Sequence, residues 1–226
     1  GWPWAFALFG ALSICLSVLF VRNARRADAS GANRIKLSEV LKIRALWIVL
    51  VLNAAIGLFM KGVELFFPTY LKDNRGIDPM WASIIYTILL GVGVLGQWIG
   101  GKAGSVFGCK RIVITTMAGI CLGMACLLFL PFYIVGITMF VMFYGFCFYA
   151  HQPALNALAG FVTPHRQQGA VFGIYFFTSF GIGSVSQLMA GYVADLYGLD
   201  TSFRLLTMFA VLALLLSFKL PEAKKQ

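Results

Sequence analysis

Long apolar stretches separated by short polar segments dominate the chain. A stretch of about 20 apolar residues is enough to cross the hydrocarbon core of a bilayer as a helix. Seven stretches approach or exceed this length: 4–21, 45–70, 79–101, 112–130, 132–161, 171–194 and 203–220, of which the last is the weakest. Membrane β-strands take only about 9–11 residues. The pattern therefore predicts an all-α membrane protein with seven transmembrane helices.

Prolines mark two of the predicted boundaries. Pro131 divides residues 112–165, which contain no Asp, Glu, Lys or Arg, into two helices, because proline cannot continue the hydrogen-bond ladder of a preceding helix. Asp78 followed by Pro79 predicts a helix start, since aspartate caps helix N-termini and proline is tolerated in the first turn.

The composition excludes a soluble globular protein. Apolar residues make up 60% of the 226 residues and charged residues 12%, against roughly 45–50% and about 25% in globular chains. The eight acidic residues are too few to cover a water-exposed surface. The composition therefore indicates an integral, multi-pass membrane protein in contact with lipid.

The net charge of +10 reflects membrane orientation. With seven spans, one side collects most of the 18 basic residues: Arg22, Arg25, Arg26, Arg34, Lys36, Lys42, Arg44, Lys102, Lys110, Arg111, Arg166, Lys219, Lys224 and Lys225. The positive-inside rule makes this side cytoplasmic. The N-terminus of the chain is then outside and the C-terminus is in the cytoplasm. We expect the membrane to be the plasma (inner) membrane. Because the basic residues are explained by orientation, no nucleic-acid partner is predicted.

One long polar segment, residues 22–44, separates the first span from the other six. Leu37, Val40, Leu41 and Arg44 have the spacing of a short helix at the membrane interface. We therefore predict three regions: residues 1–21 as one helix of a first bundle, 22–44 as a cytoplasmic loop, and 45–226 as a six-helix bundle.

Polar side chains are concentrated in four of the last six spans. The second, third, fifth and sixth spans carry most of them, whereas the fourth and seventh carry little beyond Ser, Thr and Cys. The order polar, polar, apolar therefore occurs twice. Buried polar groups in a membrane normally face protein or water, so this order predicts two three-helix inverted repeats around a central cavity.

Small residues follow one face of the third span. Gly93, Gly96, Gly100 and Gly104 predict close approach of another helix backbone. In the sixth span, Ser179, Gly183 and Gly191 repeat the pattern. Both static packing and sliding helices need such surfaces.

Several polar and aromatic residues are candidates to line the predicted cavity. Tyrosines suit an amphipathic or aromatic molecule, although at membrane ends they also form interfacial belts. Amides are equally able to hold helices together. The substrate-cavity candidates are Asn53, Tyr86, Tyr144, Tyr149, Gln152, Asn156, Tyr175 and Gln187.

Three titratable residues are candidates for gating or proton coupling. Lys61 and Glu64 are three residues apart in the second span, so they share a helix face and can pair. Glu64 lies roughly 28 Å along that helix, near the outer interface. An outer gate, a proton-carrying carboxylate and a pair without function are the alternatives. His151 precedes Pro153; because an unperturbed histidine side chain titrates near neutrality, His151 is a candidate proton carrier, with a structural histidine as the alternative.

No motif in the sequence points to an enzyme. The five cysteines have no metal-ligand spacing, and nucleophile and metal motifs are missing from the sequence. We predict no metal and no cofactor.

The segment 101–111, GKAGSVFGCKR, resembles the G-x-x-x-D-R-x-G-R-R/K loop of the major facilitator superfamily. Gly101 and Gly108 match, and the basic pair Lys110 and Arg111 follows one position later than in the motif, whereas Ser105 stands where the family has its acid. The chain thus lacks the acid on which the family's charge-relay lock depends. Residues 164–169, which include Arg166, resemble the P-x-x-x-R-G loop before the family's eleventh helix.

This resemblance implies a secondary active transporter that works by alternating access, with proton coupling as an option. The chain would contain the family's sixth helix, central loop and C-terminal bundle. Members have about twelve spans, so we expect a fragment whose missing N-terminal bundle is supplied in cis or in trans. Few charges in the cavity favour a neutral or amphipathic metabolite or drug, with efflux ahead of uptake.

Two alternatives have different requirements. A seven-helix receptor or photoreceptor fits the span count, but a retinal pigment needs a lysine deep in its last helix, where this chain offers only Lys219 at the end. A structural membrane subunit without transport activity is the second alternative.

Overall fold

A computed structural model describes residues 2–23 and 43–222 of the chain. Within these ranges the protein is helical without strands, which confirms the predicted all-α class. The helices are α1 (Trp2–Asn23), α2 (Arg44–Arg75), α3 (Pro79–Phe107), α4 (Cys109–Phe129), α5 (Tyr133–Phe161), α6 (Gln168–Tyr197) and α7 (Leu199–Ser217).

Six of these helices, α2 to α7, are long and apolar enough to cross a membrane. In α1 the apolar stretch Phe6–Arg22 is shorter and lies near the lower limit of about 17 residues for a span. The chain divides into two compact units, the first containing α1 and the second containing α2 to α7. The predicted interfacial helix at 37–44 falls almost entirely outside the described residues.

Both predicted proline boundaries are confirmed. Leu130, the residue before Pro131, is extended and ends α4, and α5 begins at Tyr133. At the start of α3, the Asp78 carboxylate accepts a hydrogen bond from the Met80 N–H at 2.9 Å. The cap satisfies one of the backbone donors that a helix N-terminus leaves free.

Removing this cap tests how much it stabilises α3. Asp78→Ala should lower the free energy of unfolding by about 1 kcal/mol, because the Met80 N–H loses its acceptor. Asp78→Asn keeps a side-chain oxygen at the same place and should stay near the wild-type value. Thermal unfolding of both variants in detergent measures the difference; equal midpoints for the two would contradict the capping role.

Several helices extend beyond their predicted ends. α2 continues past Pro68 to Arg75, where Gly76 at φ 66° ends it and donates a hydrogen bond to the carbonyl of Lys72. Pro68 has no N–H, so the carbonyl of Glu64 has no donor from the next helical turn. α3 continues through most of the predicted cytoplasmic loop to Phe107.

The prediction that residues 101–111 form a loop is therefore wrong for most of the segment. Gly108 alone, at φ 90°, separates α3 from α4. Within the added helical turns, the Lys102 ammonium lies over the Trp98 ring at 4.0 Å, and the Ser105 hydroxyl donates to the Lys102 carbonyl at 2.7 Å. Gly104 in the same turns is buried against Ala154 of α5, so the packing of α3 on α5 extends into this segment.

Two parallel helix pairs organise the second unit. α2 packs most extensively against α6, and α3 packs most extensively against α5. Along the first pair, Asn53 contacts Tyr175 and Gly62 contacts Ser186, so both helices advance in the same direction. α4 packs against α5 and α7, while α7 also packs against α2.

These contacts have an internal symmetry. Exchanging α2, α3 and α4 for α5, α6 and α7, in that order, converts the α2–α6 pair into the α5–α3 pair and the α2–α7 contact into the α5–α4 contact. This is the pattern of two three-helix repeats related by a two-fold axis. Because each repeat has an odd number of spans, the second repeat is inverted, as the sequence predicts.

The glycine stripe of α3 provides the close contact within the α3–α5 pair. A Cβ atom on Gly96 would collide with the carbonyl oxygen of Phe146, and one on Gly100 would lie 2.6 Å from the Cα of Ala150. The α2–α6 pair has the same feature, since a Cβ on Gly57 would lie 2.8 Å from the Ser179 carbonyl oxygen. The predicted backbone approach is therefore present in both pairs.

A π-helical turn, Val141–Gly145, interrupts the α-helical hydrogen bonding of α5. The turn lies against both neighbours: a Cβ on Gly145 would be 3.0 Å from the Leu89 carbonyl oxygen of α3, and a Cβ on Gly123 of α4 would be 2.9 Å from the Tyr144 nitrogen. Such turns are rare and frequently occur at functional sites. No residue pattern in this segment predicted the turn.

Candidate substrate cavity and gate

The polar residues of α2, α5 and α6 converge on one cavity of about 80 Å³, which we call the α2–α5–α6 cavity. Five of the predicted residues line it, together with apolar and small side chains from the same helices. Its lining is Asn53, Ile56, Met60, His151, Gln152, Asn156, Tyr175, Phe176, Ser179 and Phe180.

Asn53 connects α2 to α6 at the wall of this cavity. It is 3% exposed, and its side-chain amide donates to the Tyr175 carbonyl at 2.7 Å and to the Thr178 hydroxyl at 3.1 Å. The first bond satisfies an amide N–H that would be costly to leave unpaired in a membrane protein. Asn53 therefore has the helix-linking role that the sequence left open, whatever else it contacts.

His151 is the most buried titratable residue of the cavity. Its side chain is 3% exposed and lies 5.3 Å from the Phe148 ring, measured between ring centroids. Its Nδ1 atom has no hydrogen-bond partner of good geometry. Two residues later, Pro153 lacks an N–H, so the carbonyl of Tyr149 has no donor from the next helical turn.

A second group of predicted residues forms a smaller space between the two helix pairs, which we call the tyrosine cleft. Its volume is about 10 Å³, close to the minimum that holds one water molecule. α2, α3 and α5 contribute its lining: Val63, Glu64, Phe67, Tyr86, Leu89, Leu90, Tyr144, Phe148 and Tyr149. Tyr144 is 1% exposed, and its hydroxyl has no hydrogen-bond partner.

The predicted ion pair between Lys61 and Glu64 is present on α2. Lys61 Nζ lies 2.6 Å from Glu64 Oε2, and the side chains are 27% and 23% exposed. The Lys61 ammonium also lies 5.5 Å from the centre of the Phe180 ring on α6. Glu64 lines the tyrosine cleft beside Tyr86 of α3. Through Lys61 the ion pair contacts α6, and through Glu64 it borders the tyrosine cleft next to α3.

A row of aromatic side chains on α5 extends from the tyrosine cleft to the α2–α5–α6 cavity. Phe140 stacks on Tyr144 at 4.7 Å, and Tyr144 stacks on Phe148 at 5.4 Å with nearly parallel planes. Phe148 then contacts His151 at the edge of the α2–α5–α6 cavity. The spacing of four residues was visible in the sequence, but it is equally typical of an ordinary buried helix face.

The structure does not bring every predicted residue into these spaces. Gln187 is half-buried on α6 and lines neither of them. Among the loop-motif residues, Lys110 and Arg111 border a separate crevice at the start of α4, together with Gly108 and Glu222. Arg166 is exposed, in a short 3₁₀ turn at His165–Gln167 that precedes α6.

Sequence reasoning missed a polar network at the end of the bundle where α2 ends and α7 begins. Arg75 donates to the Tyr70 hydroxyl and to the Leu127 carbonyl, each at 2.8 Å. The Tyr70 hydroxyl contacts the Asp200 carboxylate at 3.3 Å, and Asp200 pairs with Arg204 at 2.7 Å. The network joins the ends of α2, α4 and α7. Its residues are separated by up to 134 positions, so no local pattern reveals it.

The fold and its cavities define a class of protein: a multi-pass membrane protein built on two inverted three-helix repeats, with polar side chains on the helices that surround the centre. The Major Facilitator Superfamily, a family of transporters, matches residues 1–187. The chain belongs to this superfamily.

Two curated relatives have the same extent of similarity. The chain is 23% identical to the multidrug efflux pump Tap of Mycolicibacterium fortuitum, covering 94% of this chain and 54% of the pump. It is also 23% identical to the fosmidomycin resistance protein of Escherichia coli (strain K12), covering 96% of this chain and 52% of that protein. The chain thus spans about half the length of these relatives.

Solved structures show the same fold. A bacterial homologue of the human drug peptide transporters PepT1 and PepT2 superposes with a TM-score of 0.63 at 15% identity, over 76% of this chain and 40% of that one. Tetrameric PepTSo2 superposes with a TM-score of 0.65 at 16% identity, over 77% and 40% of the two chains. At this identity the likeness concerns the fold alone.

Proposed function

We propose that the chain is the substrate-binding part of a secondary active transporter that moves a small neutral or amphipathic molecule by alternating access. The observation that carries this proposal is the convergence of Asn53, His151, Gln152, Asn156 and Tyr175 on the α2–α5–α6 cavity. Three helices, α2, α5 and α6, supply these groups. Polar groups at membrane depth are costly, and they typically line substrate pathways.

The cavity by itself is too small for its proposed ligand. Sites for small molecules measure about 300–1,000 Å³, whereas the α2–α5–α6 cavity measures about 80 Å³. A second wall would enlarge it. We therefore propose a further bundle, supplied in cis or in trans, as the partner that faces α2, α5 and α6, and rocking between the two bundles as the transport step.

The chemistry of the lining supports a substrate without a strong charge. None of the ten residues that line the α2–α5–α6 cavity is Asp, Glu, Lys or Arg, and Tyr175, Phe176 and Phe180 supply aromatic surface. Amide and hydroxyl groups then supply orientation. The names of the two curated relatives, an efflux pump and a resistance protein, favour efflux of a drug-like molecule.

Proton coupling is a further part of the proposal. Glu64 lines the tyrosine cleft and His151 lines the α2–α5–α6 cavity, and the Phe148 ring that borders the cleft contacts His151. Transport that continues unchanged after the pH gradient is collapsed would exclude this coupling. Placement in the plasma membrane, with the N-terminus of the chain outside, is proposed from the distribution of basic residues.

Substitution of the cavity amides tests the substrate site. Asn156→Leu and Gln152→Leu keep approximate side-chain volume but remove hydrogen-bonding groups. Each should raise the KM for transport about tenfold, the effect of one lost hydrogen bond of about 1.4 kcal/mol. Efflux of the neutral dye Nile red is measured from cells that express the chain together with the proposed second bundle.

Gln187→Leu is the matched control, because Gln187 is also a half-buried amide in a spanning helix but lines neither space. Its KM should remain within about twofold of wild type, less than the cost of one hydrogen bond. Equal effects of Gln187→Leu and Asn156→Leu would show that the α2–α5–α6 cavity is not the binding site.

A further inference from the structure

A groove runs along the outside of α4 and α7, away from the candidate substrate cavity. It measures about 470 Å³, and its walls include Leu128 and Phe129 at the end of α4 and Met208, Leu212 and Leu215 on α7. These side chains are largely apolar and open: Phe129 is 67% exposed and Met208 is 70% exposed.

Lipid is the environment of this groove. α4 and α7 are the two helices of the second unit that carry little beyond Ser, Thr and Cys in their spanning segments, whereas the polar residues of α2, α5 and α6 line the spaces inside the bundle. Apolar helix surfaces in a membrane protein face the hydrocarbon. An acyl chain therefore matches the walls of the groove.

The groove has the length of one lipid leaflet. Along α7 its lining extends from Arg204 to Leu215. Eleven residues of α-helix rise about 16 Å, which is roughly half of the 30 Å hydrocarbon core. A chain that follows the groove would therefore run from the membrane interface to the centre of the bilayer.

A positive charge lies at the end of the groove that an acyl chain would enter. Arg204 lines the groove, and its side chain is 61% exposed. It pairs with Asp200, which also accepts a hydrogen bond from the Tyr70 hydroxyl, and Arg75 in turn donates to that hydroxyl. The cluster of these four residues has a net charge of +1. Arginine binds phosphate with several parallel N–H donors.

We propose that the α4–α7 groove is a binding site for one anionic phospholipid, with an acyl chain between α4 and α7 and the phosphate at Arg204. Charge complementarity selects the lipid, and the apolar walls supply contact area. The site differs from the substrate cavity in its location and its ligand, and it does not depend on transport activity.

Native mass spectrometry of the delipidated, detergent-purified chain tests the proposal with dioleoyl phosphatidylglycerol and dioleoyl phosphatidylcholine, which share their acyl chains. The chain should bind one phosphatidylglycerol about fivefold more tightly than phosphatidylcholine, as expected for one basic side chain acting on an anionic lipid. Arg204→Gln should reduce the affinity for phosphatidylglycerol to that for phosphatidylcholine. Asp200→Asn, which frees Arg204, should raise it.

Matched variants distinguish lipid binding in the groove from general effects of substitution on α7. Lys219→Gln removes an exposed cation after the opposite end of α7 and should keep the lipid preference. Met208→Trp fills the groove and should weaken both lipids about tenfold, whereas Phe218→Trp, outside the groove, should weaken neither. Circular dichroism checks that all variants remain helical.

Three results would overturn the proposal. Arg204→Gln could keep the preference for phosphatidylglycerol, so that the headgroup would not lie at Arg204. Glycerol 1-phosphate, which has the anion without acyl chains, could displace the lipid, so that the site would bind soluble phosphate. A dimer that excludes lipid and is abolished by Met208→Trp would place a second copy of the chain in the groove.

Discussion

Replacing Gly100 by alanine is expected to destabilise the bundle, although alanine is the better helix former. The added methyl group would lie 2.6 Å from the Cα of Ala150 and would collide with its carbonyl oxygen. Both contacts are with backbone, so α3 and α5 must separate to relieve them. Overpacking of this kind costs typically about 1–3 kcal/mol. Thermal or denaturant unfolding in detergent measures the loss.

Gly91→Ala on the same helix is the control with the opposite sign. Gly91 is exposed, and a Cβ there would meet nothing within 4 Å. Only the intrinsic preference remains, which favours alanine over glycine by about 1 kcal/mol in soluble helices. Stabilisation by both substitutions would contradict the close α3–α5 contact at Gly100.

Replacement of either member of the Lys61–Glu64 pair is expected to reduce transport at least tenfold, if the pair is an outer gate. Lys61→Gln and Glu64→Gln each leave the remaining, partly buried charge without its partner near the outer interface of the membrane. The exchanged pair, Lys61→Glu with Glu64→Lys, should recover much of the activity because attraction across α2 is restored. Dye efflux and its dependence on the pH gradient are measured for all three.

A proton-carrying carboxylate gives a different result from a gate. Glu64→Gln alone would then abolish transport driven by a pH gradient and leave exchange of substrate across the membrane intact, while Lys61→Gln would retain the response to pH. Wild-type behaviour of all variants would instead identify the pair as interfacial side chains without a role in transport.

Local signals made much of the fold predictable. The spanning helices follow from long apolar runs, and the cap at Asp78 follows from a short side-chain acceptor before proline. The stripe at Gly96 and Gly100 predicted a close backbone contact, and the structure confirms it with α5 as the neighbour. Each inference depends on residues within one helix.

Other features depend on which helices meet, and the sequence does not encode this locally. The separation of Tyr144 and Tyr175 into two spaces is one example, because both are buried tyrosines in polar spans. The network from Arg75 to Asp200 is another, since its members lie in opposite halves of the chain. The π-helical turn Val141–Gly145 lies against α3 and α4 at once, and no local residue pattern distinguishes it from ordinary helix.

The two prolines inside α2 and α5 have a joint consequence for hydration of the bundle. Pro68 and Pro153 deprive the main-chain oxygens of Glu64 and Tyr149 of their usual intrahelical donors, and both of those residues border the same small opening. In hydrocarbon an unsatisfied acceptor costs several kcal/mol, and the opening is about the size of one water molecule. A donor from outside the helix, such as a neighbouring side chain or a water molecule, is therefore expected at each of these two main-chain oxygens.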